Sequence, residues 1–188
     1  ARRKDFNDGT PNRLLELLRG REGRAGLNTR TQALYLMTAT PMQVHPVEVW
    51  DLLRLLGMGG EWGSEERFNH FFSQLQIPVT DPDRDWDFLL DMVQDHLVLG
   101  GEILPRFRQT VESTLGMVEA ATVLNLPTQK SRKGTISHLS GDARNLLDRL
   151  IAWHTPLRRF MCRNTRELLR KYHDQGLLKD HVPDRIPL

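Results

Sequence analysis

Only one of the 188 residues, Cys162, is a cysteine. An intrachain disulfide is therefore excluded, and so is a structural zinc cluster built on several thiolates. No Gly-Lys pair occurs anywhere, so the chain lacks the loop Gly-x-x-x-x-Gly-Lys-(Ser or Thr) whose amides and lysine hold nucleotide phosphates. No Asp-Glu dipeptide occurs either, which removes the acidic pair that holds magnesium and orients water in ATP-driven motors. The chain by itself is expected to bind no cofactor and to hydrolyse no ATP. The seven histidines include no pair four apart, as two imidazoles on one helical face would require, and Asp81-x-Asp83-x-Asp85 lacks the later Gly and Glu of a calcium loop. No metal ligand set is expected. Apolar runs stay far short of the roughly 20 residues that span a bilayer, and no secretory leader is recognisable, so no membrane partner is expected and a reducing cytoplasm is the economical location. With 26 Lys and Arg against 24 Asp and Glu, the net charge of +2 does not by itself demand a nucleic-acid partner.

Against these absences stands one concentrated signal. The apolar run Ala33-Leu34-Tyr35-Leu36-Met37 ends in Thr38-Ala39-Thr40-Pro41-Met42-Gln43, just before an amphipathic segment. The run has the length of one buried parallel strand, and open α/β sheets gather their ligands at the carboxyl ends of such strands. Thr38, Ala39 and Thr40 would then sit on a working edge. A polar strand-to-helix turn with no such role has the same composition, since Thr and Pro are ordinary turn residues.

The rest of the pattern is helical. Thr10 and Pro11 predict a helix start, with Leu14, Leu15, Leu17 and Leu18 as its apolar side and the glycines from Gly20 to Gly26 as its end. Pro46 opens a helix in which Val49, Leu52, Leu53 and Leu56 recur at helical spacing and place Trp50 against the sheet. Ser64 with Glu65 and Glu66 predicts a helix bearing Phe68, Phe71, Phe72 and Leu75. A loop from Pro78 to Asp85 then leads to a helix through Trp86, Leu89, Leu90, Val93 and Leu97. These large apolar residues read as the core of a bundle rather than as a docking surface. A further helix is expected within Pro105 to Ala121. The stretch from Gln129 to Gly134 reads as an exposed linker, in which Lys130, Arg132 and Lys133 could touch phosphate. Leu146, Leu147, Leu150 and Ile151 mark another helix. Thr155-Pro156 opens a last one, expected to run to about Gly176.

On that last helix Arg159, Arg163, Arg166 and Arg170 are spaced four, three and four apart, which would align four guanidinium groups. Such a face is either a phosphate ladder, because the planar Arg fork matches phosphate oxygens, or simply a solvated face.

Two blocks carry a family resemblance. Thr38-Ala39-Thr40-Pro41-Met42-Gln43, followed by Pro46-Val47-Glu48-Val49-Trp50-Asp51-Leu52-Leu53-Arg54-Leu55-Leu56, resembles the third motif of superfamily-two helicases in its Swi/Snf form. The family usually has Asn-Asn after the Gln, where this chain has Val44-His45. Far downstream, Pro156-Leu157-Arg158-Arg159-Phe160-Met161-Cys162-Arg163-Asn164-Thr165-Arg166 resembles the basic block closing the first motor lobe, with Arg163-Asn164-Thr165-Arg166 nearer the bacterial RNA-polymerase-recycling or phage-defence enzymes.

The resemblance implies a mainly α chain with a small α/β remnant. It would comprise the second half of a RecA-like lobe and a helical insertion, cut from the middle of a larger motor. Residues 1–60 would complete the lobe, residues 61–155 form the helical protrusion, and residues 156–188 close the lobe and begin the inter-lobe linker. ATP and magnesium would belong to the parent, and the partners would be double-stranded DNA and the remaining motor lobes. Thr38, Ala39, Thr40, Pro41 and Gln43 would couple nucleotide state to movement. Arg159, Arg163, Asn164, Thr165, Arg166 and Arg170 would contact nucleic acid or couple the lobes. A non-catalytic helical interaction module and an RNA helicase of the same superfamily are the alternatives.

Overall fold

A computed structural model describes residues 10–37, 46–130, 132–161, 166–177 and 179. Its first helix, α1 (Arg13–Arg19), begins two residues later than Pro11 because Asn12 is the cap: its Oδ1 accepts the Leu15 N–H at 2.9 Å. Gly20, at φ 84°, turns the chain into a two-residue hairpin in which β1 (Gly20–Arg21) pairs antiparallel with β2 (Arg24–Ala25). This hairpin is the whole sheet among the described residues.

The expected parallel strand over Ala33 to Met37 is absent. That stretch is irregular, with Tyr35 88% and Met37 97% exposed. A strand needs a neighbour to take its N–H and C=O groups, and no described strand lies beside this one.

The remaining elements are helical. They are α2 (Pro46–Leu55), α3 (Glu65–Gln76), α4 (Trp86–Val98), α5 (Pro105–Thr114), α6 (Met117–Asn125), α7 (Lys133–Ser137), α8 (Gly141–Trp153), α9 (Leu157–Phe160) and α10 (Arg166–Asp174), and all but α10 contribute to one apolar cluster. Their starts follow local chemistry. Ser64, Asp85 and Ser140 cap α3, α4 and α8 by accepting the N–H of Arg67, Phe88 and Ala143, and Pro105 stands at the first turn of α5. The helix expected within Pro105 to Ala121 is α5, and α6 follows it after the chain turns at Leu115 and Gly116, where ψ is extended.

Helix α4 is central. Its Leu89, Leu90, Met92 and Val93 are fully buried, and it packs on α3, on α8 and on the 3-10 turns at Gly60–Gly63 and Leu126–Thr128. Phe68 and Phe71 of α3 meet Trp62 edge to face, with centroids 6.4 and 4.6 Å away. Among the described residues no sheet lies under helix α2. Val47, Trp50 and Leu53 join the same cluster as the buried residues of α3, α4, α5, α6 and α8, so the core runs without a break across residue 60.

Candidate functional site

The turn Thr38, Ala39, Thr40, Pro41 and Gln43 lies outside the described residues, as do Arg163, Asn164 and Thr165. The elements on either side of the turn are described. Met37 precedes it in an exposed segment, and α2 follows it from Pro46. Helix α2 is held firmly. The Trp50 indole N–H donates to the Trp62 carbonyl at 3.2 Å, and the Trp62 indole N–H donates to the Met92 carbonyl at 2.9 Å. Glu48 and Asp51 are buried on the same helix.

The arginine ladder does not form on one helix. Met161 is extended at φ −118° and ψ 122°, which ends α9 before α10 begins at Arg166. Apolar contacts decide this: Leu157, Phe160 and Met161 pack against the core cluster, leaving Arg158 and Arg159 exposed. Arg159 donates to the Leu99 carbonyl at 3.3 Å. Arg170 belongs to the separate α10.

The stretch from Gln129 to Gly134 is also not a bare linker. Arg132 is buried at 6% exposure. Its Nε donates to the Leu126 carbonyl, one terminal nitrogen to the Asp87 carbonyl and to Asp91 Oδ1 at 2.5 Å, and the other to Gln94 Oε1 and the Pro127 carbonyl. All five donor directions are used inside the protein, so Arg132 organises the loop instead of reaching for phosphate. Arg84, in the loop before α4, behaves likewise. It is buried, donates to the Ile77 carbonyl and to Asp148, and lies over the Trp86 ring at 4.6 Å. Open grooves of about 550 and 530 Å³ run beside these two arginines. Lys133 lines both, and the acidic side chains Asp81, Asp83 and Asp85 line the first. No group of His, Cys, Asp and Glu among the described residues could hold a metal ion.

One end of the bundle brings together groups that sequence spacing left scattered. His154, 2% exposed, accepts the Leu104 N–H on Nε2 at 3.1 Å. Nε2 must therefore be unprotonated, and Nδ1 carries the hydrogen that it gives to the Leu150 carbonyl at 2.7 Å. Burial holds the His154 pKa below its usual value; the bond to Leu150 opposes this shift, and the nearby Arg158 charge adds to it. Burial lowers the His96 pKa too, assisted by His154 and Arg159. Phe107 packs edge-on against both Trp153 and His154, with centroids 5.8 and 5.0 Å away, while the Arg149 guanidinium lies over the Trp153 ring at 4.8 Å. The spacing of Arg149 and Trp153, one turn apart, was a legible signal for their contact. Their neighbourhood with α5 and α9 was not.

Compared with protein families, characterised proteins and solved structures, the chain has no match.

Proposed function

We propose that this chain is part of an ATP-driven DNA translocase of the Swi/Snf type, contributing the coupling turn and the helical body rather than the nucleotide site. The reading rests on the resemblance of Thr38–Gln43 and Pro46–Leu56 to the family's third motif. One observation supports its mechanical sense. Helix α2, which carries the second half of that motif, is bonded through Trp50 to Trp62 and onward to Met92 in the middle of the helical body. A displacement of the turn would be carried into the body, because packed interiors transmit strain instead of absorbing it. In the parent, ATP and magnesium would bind to other segments, and Thr38, Ala39 and Thr40 would report their state.

A rival reading has its own support. The core is continuous from α2 to α8, as suits a self-standing helical interaction module. DNA-stimulated ATP hydrolysis separates the two. The translocase reading expects the complete parent protein to hydrolyse ATP faster with DNA, while the isolated chain neither binds nor hydrolyses it. Micromolar ATP affinity of the isolated chain in calorimetry, or a parent indifferent to DNA, would reject that reading.

A further inference from the structure

The arginines of the helical body are bonded in different ways, and Arg54 and Arg144 each give a donor to a backbone carbonyl, of Met58 and of Ser137. Arg67, Arg84 and Arg132 are paired with Glu61, Asp148 and Asp91. At the other extreme, Arg106, Arg108, Arg149, Arg158 and Arg159 are exposed, and none of them has a carboxylate partner among the described residues. Arg149, Arg158 and Arg159 are linked through the contacts around His154, and Arg106 adjoins one of those contacts in sequence. Arg149 lies on Trp153, Trp153 touches Phe107, and Arg106 precedes Phe107 in the first turn of α5. Arg158 acts electrostatically on His154, and Arg159 reaches the end of α4 at Leu99. Glu102, in the loop between α4 and α5, is an exposed acid two residues before Leu104, whose N–H meets His154. The local excess of positive charge is thus independent of the chain's small net charge.

We propose that this end of the bundle, formed by Arg149, Trp153, Arg158 and Arg159 with Arg106 at its edge, is a binding surface for the phosphate backbone of DNA. The choice of DNA as the polyanion rests on the translocase reading; the clustering of unpaired cations does not. Guanidinium groups offer several donors each, and Arg159 spends one on Leu99 while the others stay available. Trp153 is 44% exposed and the Arg149 guanidinium lies over its ring, which reduces the freedom lost when Arg149 meets a phosphate. Val98 and Leu99 border the surface and are exposed. An acidic protein is therefore the competing partner, but the centres of protein interfaces are depleted of charge, whereas four unpaired cations dominate here.

The test measures binding of a short labelled DNA duplex to the full chain across a salt titration. Log affinity should fall with log salt, and R149Q/R158Q/R159Q should flatten the slope by about 0.9 per lost phosphate contact, or up to about 2.7 units in all. R13Q/R19Q/R24Q removes the same charge from the α1 hairpin region and should leave the slope nearly unchanged. Thermal melting monitored by circular dichroism checks that both variants fold. Equal flattening in the two variants, no binding by the unaltered chain at low salt, or arginine-dependent binding of polyglutamate without binding of DNA would each overturn the proposal. The motor reading is judged apart from this. If the parent shows DNA-stimulated ATP hydrolysis but the slope ignores the three arginines, the surface fails and the motor stands. If the slope responds but the parent has no such hydrolysis, the reverse holds.

Discussion

Trp50 and Trp62 are joined by a buried hydrogen bond, from the indole nitrogen of the first to the carbonyl oxygen of the second at 3.2 Å. It fixes α2 against the 3-10 turn at Gly60–Gly63, and Trp62 in turn donates to Met92 on α4. Two glycine features permit the close approach. Gly60 sits at φ 62°, and a Cβ there would stand 2.5 Å from Asp95 Oδ2, the oxygen that accepts the Glu61 N–H.

Trp50→Phe should keep most of the packing but leave the Trp62 carbonyl without its donor, costing about 1–2 kcal/mol. Trp62→Ala removes a side chain with no exposure and should cost about 3–5 kcal/mol. Urea denaturation reads both, and equal losses in the two variants would contradict the separate roles assigned to the bond and to the core.

Arg132→Met should destabilise the chain by about 3 kcal/mol. It takes the guanidinium away from the Pro127 carbonyl, the Asp91 carboxylate and the Gln94 side chain, and removes a second donor from the Leu126 and Asp87 carbonyls. Arg132→Lys should recover only part of this, since one ammonium cannot span the acceptors that the planar fork reaches. A solvated linker residue would show neither loss, so denaturation midpoints of the two variants test the buried role directly.

Arg132 also shows where sequence reading stops. The helices bearing Phe68 and Phe71, Leu89 and Leu90, and Leu146 to Ile151 were legible, because helical periodicity and caps such as Ser64 are local properties. The partners of Arg132 lie near residues 87–94 and 126–127, and no local pattern reveals that folding assembles them. The single helix expected from Thr155-Pro156 to about Gly176 is interrupted for a related reason. Spacing assumes one continuous helix, whereas burial of Leu157, Phe160 and Met161 took precedence over alignment of charges. The run from Ala33 to Met37 carries a strand composition but has no described strand to pair with.

Thr40→Ala in the complete parent should leave nucleotide binding nearly unchanged and reduce DNA-stimulated ATP turnover and translocation together. A coupling turn senses the nucleotide without providing its main binding energy. Equilibrium nucleotide titration beside a turnover assay checks it. Affinity falling in proportion to activity would make Thr40 a binding residue.

Acid should loosen the end of the bundle built around His154. The ring accepts the Leu104 N–H on Nε2, so a proton placed there would set two donors against each other. Burial lowers the pKa of both His154 and His96 in the folded chain, whereas the unfolded chain restores both toward the ordinary value of 6.5. The unfolded state therefore binds more protons as pH falls through that value. The stabilisation is complete above about pH 6.5, declines on acidification, and stops declining once pH has passed the lowered folded values. Asp95 works in the opposite sense, since burial raises its pKa above 3.8 and so favours the folded chain on acidification. Urea midpoints measured from about pH 7.5 down to about pH 5 should fall, and His154→Gln should show a shallower fall whatever its absolute stability. An unchanged slope in that variant would mean that His154 does not carry the pH dependence.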